Sequence, residues 1–530
     1  MRSTVFRLVQ FSPLLSRIHA VGLGSKPAPG VADGASPSAR RAWSRPPFGV
    51  SLRAAVWRAG RARSPFSTAW LRLRRVGSFN SALTLGQRQR SGSVLIGVLW
   101  CVVLLAVIVI GLLHTSRLDL MVGKYHSDRV QAHYLALAGI EKAKALLYQD
   151  SLERSRAGVH HGAGLYDAPA QFRDILLGRG QFRIIRGGTA DEGGGLIYGV
   201  SDEESRLNIN VADVNQLTNI MGLRSDIAAA IVDWRDGDNA VSPGGAEEPY
   251  YASLQPPYLP RNAEFPTLRE LLMVRGVTPE LLNGEPQALL AAGLGLPAAS
   301  SLEESTADEP EPPSNSGWSS LLTAHSSVED VDASGSSRVN IQSADIAALT
   351  GVSGITTPIA QAIIAHRTRT RFESLADLLE VRAAPPGGQN RNNNNAPTGP
   401  TVIADRLFQD IADHLTVEDQ TELRGAINLN TASVEVLMCL PGVTRPLAQA
   451  VVAHRKANGF FPHIAELLQV SGMNRELFKQ VAPHVTVRSE TFRILSEGRV
   501  GKRGSRQRIE VVVHVGLNSV KTLAYREDDL

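Results

Sequence analysis

The stretch DWRDGDNAVSPGGAEEPYY, residues 233–251, concentrates side chains that could do chemistry together in this 530-residue chain. Asp236, Asp238 and Asn239 precede a Pro-Gly-Gly turn, and Glu247 and Glu248 follow it. Hard oxygen donors on both arms of a sharp turn can close around Ca2+, which takes roughly six to eight oxygens in a flexible geometry. The spacing is not that of an EF-hand, because no glycine and bidentate glutamate fall in the required register. The same residues would serve equally as a solvated acidic loop with Asx turns. Local chemistry leaves both readings open.

A second set of residues recurs. LNINVADVNQLTNIMGLRSDIAAAIVDWR from Leu207, VNIQSADIAALTGVSGITTPIAQAIIAHR from Val339 and INLNTASVEVLMCLPGVTRPLAQAVVAHR from Ile427 align without gaps. Each has an Asn-containing turn, a short helix, a hairpin around a glycine (Gly222, Gly354, Gly442) and a second helix ending in Arg. Glycine there permits the positive φ of a tight helix–helix turn. The unit resembles the helix-hairpin-helix motif, whose DNA-binding versions offer the backbone N–H groups of a Gly-x-Gly hairpin to a phosphate. Here the second glycine is missing, with Thr356 and Thr444 in its place. A packing module for protein contacts is therefore the favoured reading. His366 and His454 occupy matching places and read as a repeated packing or surface feature rather than as metal ligands. Cys101 and Cys439 have no metal-type spacing and no partner for a disulfide. No nucleophile elbow, P-loop or CxxC organises the remaining Ser, Asp and His residues, which argues against an enzyme.

The elements that must position these residues begin with an apolar helix. Val94–Leu113 is an uncharged run of 20 residues, long enough to span a bilayer. Beyond it Ala132, Leu135, Ala136, Gly139, Ile140, Ala143 and Leu147 recur at helical spacing, so the helix is expected to continue as an amphipathic one to about Asp150. Short strand-like runs follow in QFRIIRGG and GLIYGVSDEESRLNIN, and again after the third unit in TFRILSEGRVGKRGSRQRIEVVVHV and KTLAYRE. Strands on both sides of the helical units imply one sheet interrupted by a large insertion. The net charge of +4 averages unlike segments. Residues 1–90 hold 16 of the 55 basic residues and one acid, so the chain from Ser91 onward carries 39 basic against 50 acidic residues. An acidic body is the opposite of a generic nucleic-acid binder.

With these residues in view, RQRSGSVLIGVLW resembles the start of a type IV pilin-like precursor: a basic leader, a glycine before the cleavage point, then an apolar helix. The resemblance puts the processing junction at Gly92 and Ser93. Most pilin-like proteins have Glu at the fifth mature position, where this chain has Gly97. That departure, with the acidic Pro-Gly-Gly and Tyr-Tyr stretch and the helix-hairpin-helix units, is similar to the K-type minor pseudopilins of type II secretion systems. The third unit exceeds the usual two. The resemblance implies an α+β pseudopilin fold, a long N-terminal helix and a small antiparallel sheet, with an inserted α-helical domain of helix-hairpin-helix, SAM-like repeats.

It further implies Ca2+ at Asp236, Asp238, Glu247 and Glu248, and no other cofactor. The implied partners are the I- and J-type minor pseudopilins, the major pseudopilin, the prepilin peptidase, and secreted proteins or the outer-membrane channel. Arg88 and Arg90 before the apolar run orient the N-side to the cytoplasm, giving a single-pass inner-membrane protein with a periplasmic body. The expected organisation is a basic leader (1–92), disordered or ahead of the native start; the N-terminal helix (93–150); pseudopilin strands (151–206); a first unit with the acidic loop (207–298); a flexible acidic linker (299–336); a second unit with an Asn-rich insertion (337–424); a third unit (425–487); and C-terminal strands (488–530). The rival from another class is a membrane-anchored DNA receptor of the competence type.

Overall fold

The computed structural model describes residues 92–160, 162, 164–220, 222–284, 317–383, 399–501 and 505–527. The leader before Gly92, the first part of the acidic linker and the Asn-rich insertion lie outside them.

A single helix, α1 (Gly92–Ala157), runs for 66 residues, about 100 Å at 1.5 Å per residue. Its first part is apolar on every side and exposed throughout, and it is long and apolar enough to cross a membrane. Its last part is amphipathic: Ala132, Leu135, Ala136, Ile140, Ala143 and Leu147 are buried. The helix continues past the expected stop at Asp150 to Ala157. Arg154 extends it, pairing with Asp150 at 3.0 Å and donating to the His160 carbonyl at 3.1 Å, a favourable place for a cation at a helix C-terminus.

The buried stripe of α1 lies on a seven-stranded antiparallel sheet. Strands β1 (Ile175–Leu177), β2 (Gly180–Gly187), β3 (Leu196–Ile197) and β4 (Ser201–Asp202) come from before the insertion. Strands β5 (Thr491–Val500), β6 (Arg506–Val515) and β7 (Val520–Arg526) come from after it. The order is β1-β2-β5-β6-β7, with β3 against β2 and β4 against β5. Alternation places Phe492, Ile494, Ile509, Val511 and Val513 in the core with Ile140 and Leu147 of α1, as period-2 patterning requires. Gly139 of α1 and Gly498 of β5 let helix and sheet approach closely. A Cβ on Gly498 would land on the backbone of Ala132 and Ala136.

Between β4 and β5 the chain makes three helix-hairpin-helix units that share one continuous aliphatic core. Each is closed by a parallel two-residue ladder: Leu207–Asn208 with Leu322–Thr323, Val339–Asn340 with Leu415–Thr416, and Ile427–Asn428 with Val485–Thr486. The repeated terminal arginine explains itself here. Arg367 Nη1 donates to the Ile341 and Ala344 carbonyls at 2.9 and 2.7 Å. Arg455 Nη1 donates to Leu429 and Ala432 at 2.8 Å each, and Arg235 reaches Ile209 and Ala212 in the same way. The charged end of the second helix thus holds the turn that starts the unit. His366 stacks on Phe372 and His454 on Phe461, with ring centroids 4.9 Å apart in both, so these histidines pack.

Part of the expected linker is structured. Trp318 is buried, Leu322–Thr323 closes the first unit, and Ser327–Glu329 pairs antiparallel with Glu422–Arg424 of the second. The first unit therefore extends beyond residue 298, because its closing strand lies on the far side of the acidic segment.

Chain exit and re-entry are adjacent. The Glu203 N–H donates to the Thr491 carbonyl at 2.9 Å, and Asp202, Glu203 and Glu204 are all buried at this junction. Asp202 Oδ2 accepts from Ser489 at 2.5 Å and from Asn428 at 3.2 Å, tying the sheet to the third unit. Glu203 pairs with Arg206 and Arg493 and accepts from Thr323, tying the sheet to the first.

Candidate metal centre

The acidic loop begins where the second helix of the first unit, Ser225–Arg235, ends with Asp236 as its C-cap. The chain crosses the Pro243-Gly244-Gly245 turn, with Gly244 at φ 84°. It returns at Glu247, the residue before the short helix Glu248–Ala252. One carboxylate oxygen from each of Asp233, Asp236 and Glu247 lies within 4.8 Å of the others. Asp233 and Glu247 are 0% and 1% exposed. Asp233 Oδ1, Asp236 Oδ1 and both Glu247 oxygens have no hydrogen-bond partner. Asp233 Oδ2 accepts the Ser242 N–H at 3.2 Å. A side chain at Gly245 would occupy the space of the Asp233 carboxylate, so glycine is required for the two arms to close.

Buried carboxylates without donors or cations are costly, and the electrostatics register that cost. Burial first, then Asp233, Asp236 and Asp238, pushes the Glu247 carboxyl up to about 7. Burial, then Asp238 and Asp233, raise Asp236. The donor set is oxygen-only and anionic, the chemistry of a hard divalent cation.

Of the four residues expected as ligands, Asp236 and Glu247 meet. Asp238 stands exposed at the rim, where its Oδ1 accepts the Ala240 N–H at 2.7 Å in an Asx turn. Glu248 is exposed and outside the group. Asp233 completes the trio and was missed. The repeat held a partial signal: Ala365 and Ala453 stand at the matching positions, so the first unit alone has an acid there, and there alone is the position buried. Its spacing of three from Asp236 puts the two on one side of the turn.

The hairpin glycines Gly222, Gly354 and Gly442 have φ of 78°, 97° and 69°. Arg224, Thr356 and Thr444 follow as helix N-caps without a side-chain cap bond. Gly92 and Ser93 are in the first turn of α1.

A membrane-length helix continuing onto an antiparallel sheet, with helix-hairpin-helix units inserted before its central strand, is an α+β pilin-like fold with a large helical insertion. Within that class the chain is similar to protein K of type II secretion systems. The family model described as type II secretion system (T2SS), protein K, matches residues 198–284, the acidic loop included. The helix-hairpin-helix motif model matches residues 334–386 and 424–486.

Type II secretion system protein K of Pseudomonas aeruginosa is 25% identical over 42% of this chain and 67% of its own length. Two further relatives match over 12% of this chain only. An endonuclease/exonuclease/phosphatase family domain-containing protein 1 of Xenopus laevis is 42% identical over 12% of its length. ComE operon protein 1 of Bacillus subtilis is 36% identical over 30% of its length. The chain thus spans about an eighth of the first of these and under a third of the second. A solved GspK-GspI-GspJ complex from enterotoxigenic Escherichia coli aligns with 76% of this chain and 100% of its own, at TM-score 0.38 and 14% identity.

Proposed function

We propose that the chain is a non-enzymatic minor pseudopilin of a type II secretion system, placed at the tip of the periplasmic pseudopilus and supporting its initiation and protein export. The observation that carries this reading is the single helix α1, half membrane span and half sheet-packed, joined to a sheet with the protein K segment inserted in it. Prepilin peptidase would cut between Gly92 and Ser93. The apolar run Val94–Leu113 would anchor the chain in the inner membrane, with the body periplasmic. Gly97 offers no carboxylate to a neighbouring subunit's N-terminal amine, which suits the end of a filament rather than its middle. The partners are I- and J-type minor pseudopilins, with the major pseudopilin below and secreted proteins or the outer-membrane channel beyond.

Ca2+ fits the trio Asp233, Asp236 and Glu247, with the Asp238 carboxylate nearby on the loop adding negative charge. A bound cation would neutralise three crowded carboxylates and lock helix 225–235 to the returning arm at Glu247. That role is structural, fixing the outer face of the first unit.

Deletion and complementation test the function. Cells lacking the chain should retain their exoproteins in the periplasm, and wild-type protein should restore export and co-purify with the other minor pseudopilins. Unchanged export in the deletion, with duplex DNA retained by the purified protein in a salt-dependent way, would favour the competence-type reading instead. The short relatedness to ComE operon protein 1 is the observation on that side. The acidic body and the absent second hairpin glycine weigh against it.

A further inference from the structure

Separate from the acidic loop, Glu329, Glu490 and His514 converge from three segments, with one ligand-type atom of each within 4.8 Å of the others. Glu329 belongs to the strand leaving the first unit, Glu490 is the last residue before β5, and His514 is on β6. Glu490 is 2% exposed. Arg488 takes its Oε1, and its Oε2 accepts the Glu329 N–H at 2.7 Å. Glu329 faces Glu422 directly across its ladder, a like-charge pair that opposes folding unless a cation is near.

The histidine supplies an independent sign. Thr491 Oγ1 lies 3.3 Å from the Ser327 carbonyl, to which its hydroxyl donates, and 3.4 Å from His514 Nδ1. With its proton committed to the carbonyl, the hydroxyl accepts from Nδ1–H. That fixes the tautomer whose Nε2 carries a free lone pair, as outer-sphere partners of metal-bound histidines do. Nε2 then looks across 3.9 Å at Glu490 Oε2. That gap is too long for a hydrogen bond and of the size that separates two ligands of one ion, each about 2.0–2.2 Å from it.

We propose that Glu329, Glu490 and His514 form a site for a divalent transition metal of the Zn2+ or Mn2+ class, stapling the helical insertion to the sheet. An imidazole with two carboxylates suits such ions rather than Ca2+, which takes oxygen ligands. Three protein ligands leave at least one position for water.

The test uses full-length protein in detergent, stripped with EDTA and held in excess Ca2+ so that the acidic loop does not compete. Zn2+ titrated calorimetrically should bind at one equivalent. Co2+ in its place should give visible d–d absorption, a readout independent of any variant. Glu329→Gln and His514→Gln should each weaken Zn2+ by at least about tenfold, as loss of even a supporting partner can, whereas the Asp236→Asn/Glu247→Gln double variant should bind it unchanged. The proposal is overturned if wild type takes up no stoichiometric Zn2+ and shows no Co2+ spectrum. It is equally overturned if His514→Gln and Glu329→Gln bind as tightly as wild type, or if Zn2+ leaves the melting temperature of wild type unmoved.

Discussion

Replacing Arg455 by Met removes the charged donor from two backbone carbonyls, Leu429 and Ala432, each now held at 2.8 Å. Both belong to the turn that opens the third unit, and the guanidinium is itself half-buried. A carbonyl stripped of its partner in such a place costs about 1–3 kcal/mol. The methionine stem keeps the apolar packing of the arginine chain and spares the desolvation of a cation, which offsets part of the loss. The expected destabilisation is about 2–4 kcal/mol, read from urea midpoints followed by circular dichroism. Arg455→Lys should fall between, because an ammonium lacks the planar fork that spans two acceptors. The molecule contains its own replicates: Arg235→Met and Arg367→Met break the same clamp in the other two units. Losses below about 0.5 kcal/mol, the range of ordinary surface changes, at all three positions would refute the clamp as the reason for the repeated arginine.

At the buried junction, burial first and then Asp202 raise Glu204 well above the usual carboxylate range, and burial also raises Asp202. A raised folded value means that stability is full below the unfolded value of about 4.3 and is lost as pH climbs toward the folded one. Glu204→Gln keeps a neutral side chain throughout, so its denaturation midpoint should stay flat where wild type declines; parallel pH profiles would count against a retained proton. Gly498→Val drives a branched side chain into the α1 backbone and should cost upward of about 1–3 kcal/mol, visible as early loss of the thermal transition, whereas an unchanged transition would mean that helix and sheet can part freely. Asp233→Asn should abolish the rise in melting temperature caused by Ca2+, while Glu248→Gln should leave it intact. The reverse pattern would return the ligand set to the one expected from sequence alone.

Much of the architecture could be read from residue order. The split sheet followed from alternating runs at both ends, and the three units from gapless self-similarity with a glycine at each hairpin. The stripe Ala132–Leu147 showed its period plainly. What escaped has a common physical cause, in that it depends on contacts between distant segments. The closing strand Leu322–Thr323 is two residues long and pairs with Leu207–Asn208 across the acidic segment, so its surroundings of Ser, Glu and Pro hid it. Asp233 was overlooked because an acid in a helix's last turn looks solvated until the fold buries it. Glu329, Glu490 and His514 have no local spacing at all, and only the topology brings them together.

The adjacency of Glu203 and Thr491 has a consequence for synthesis at the ribosome. The stripe of α1 is made before the three units, yet the strands carrying most of its partners, Thr491–Val500 and Arg506–Val515, are translated only after all three. For most of its emergence the chain displays a membrane helix followed by an uncovered apolar face, while the inserted units can fold one after another on their own core. Closing the sheet must wait for strands made after the insertion, and bridging so long a loop is intrinsically slow. A chain cut short before Thr491 would carry three finished units on a helix that lacks its main sheet strands, so the arrival of those strands is itself the checkpoint on a usable subunit.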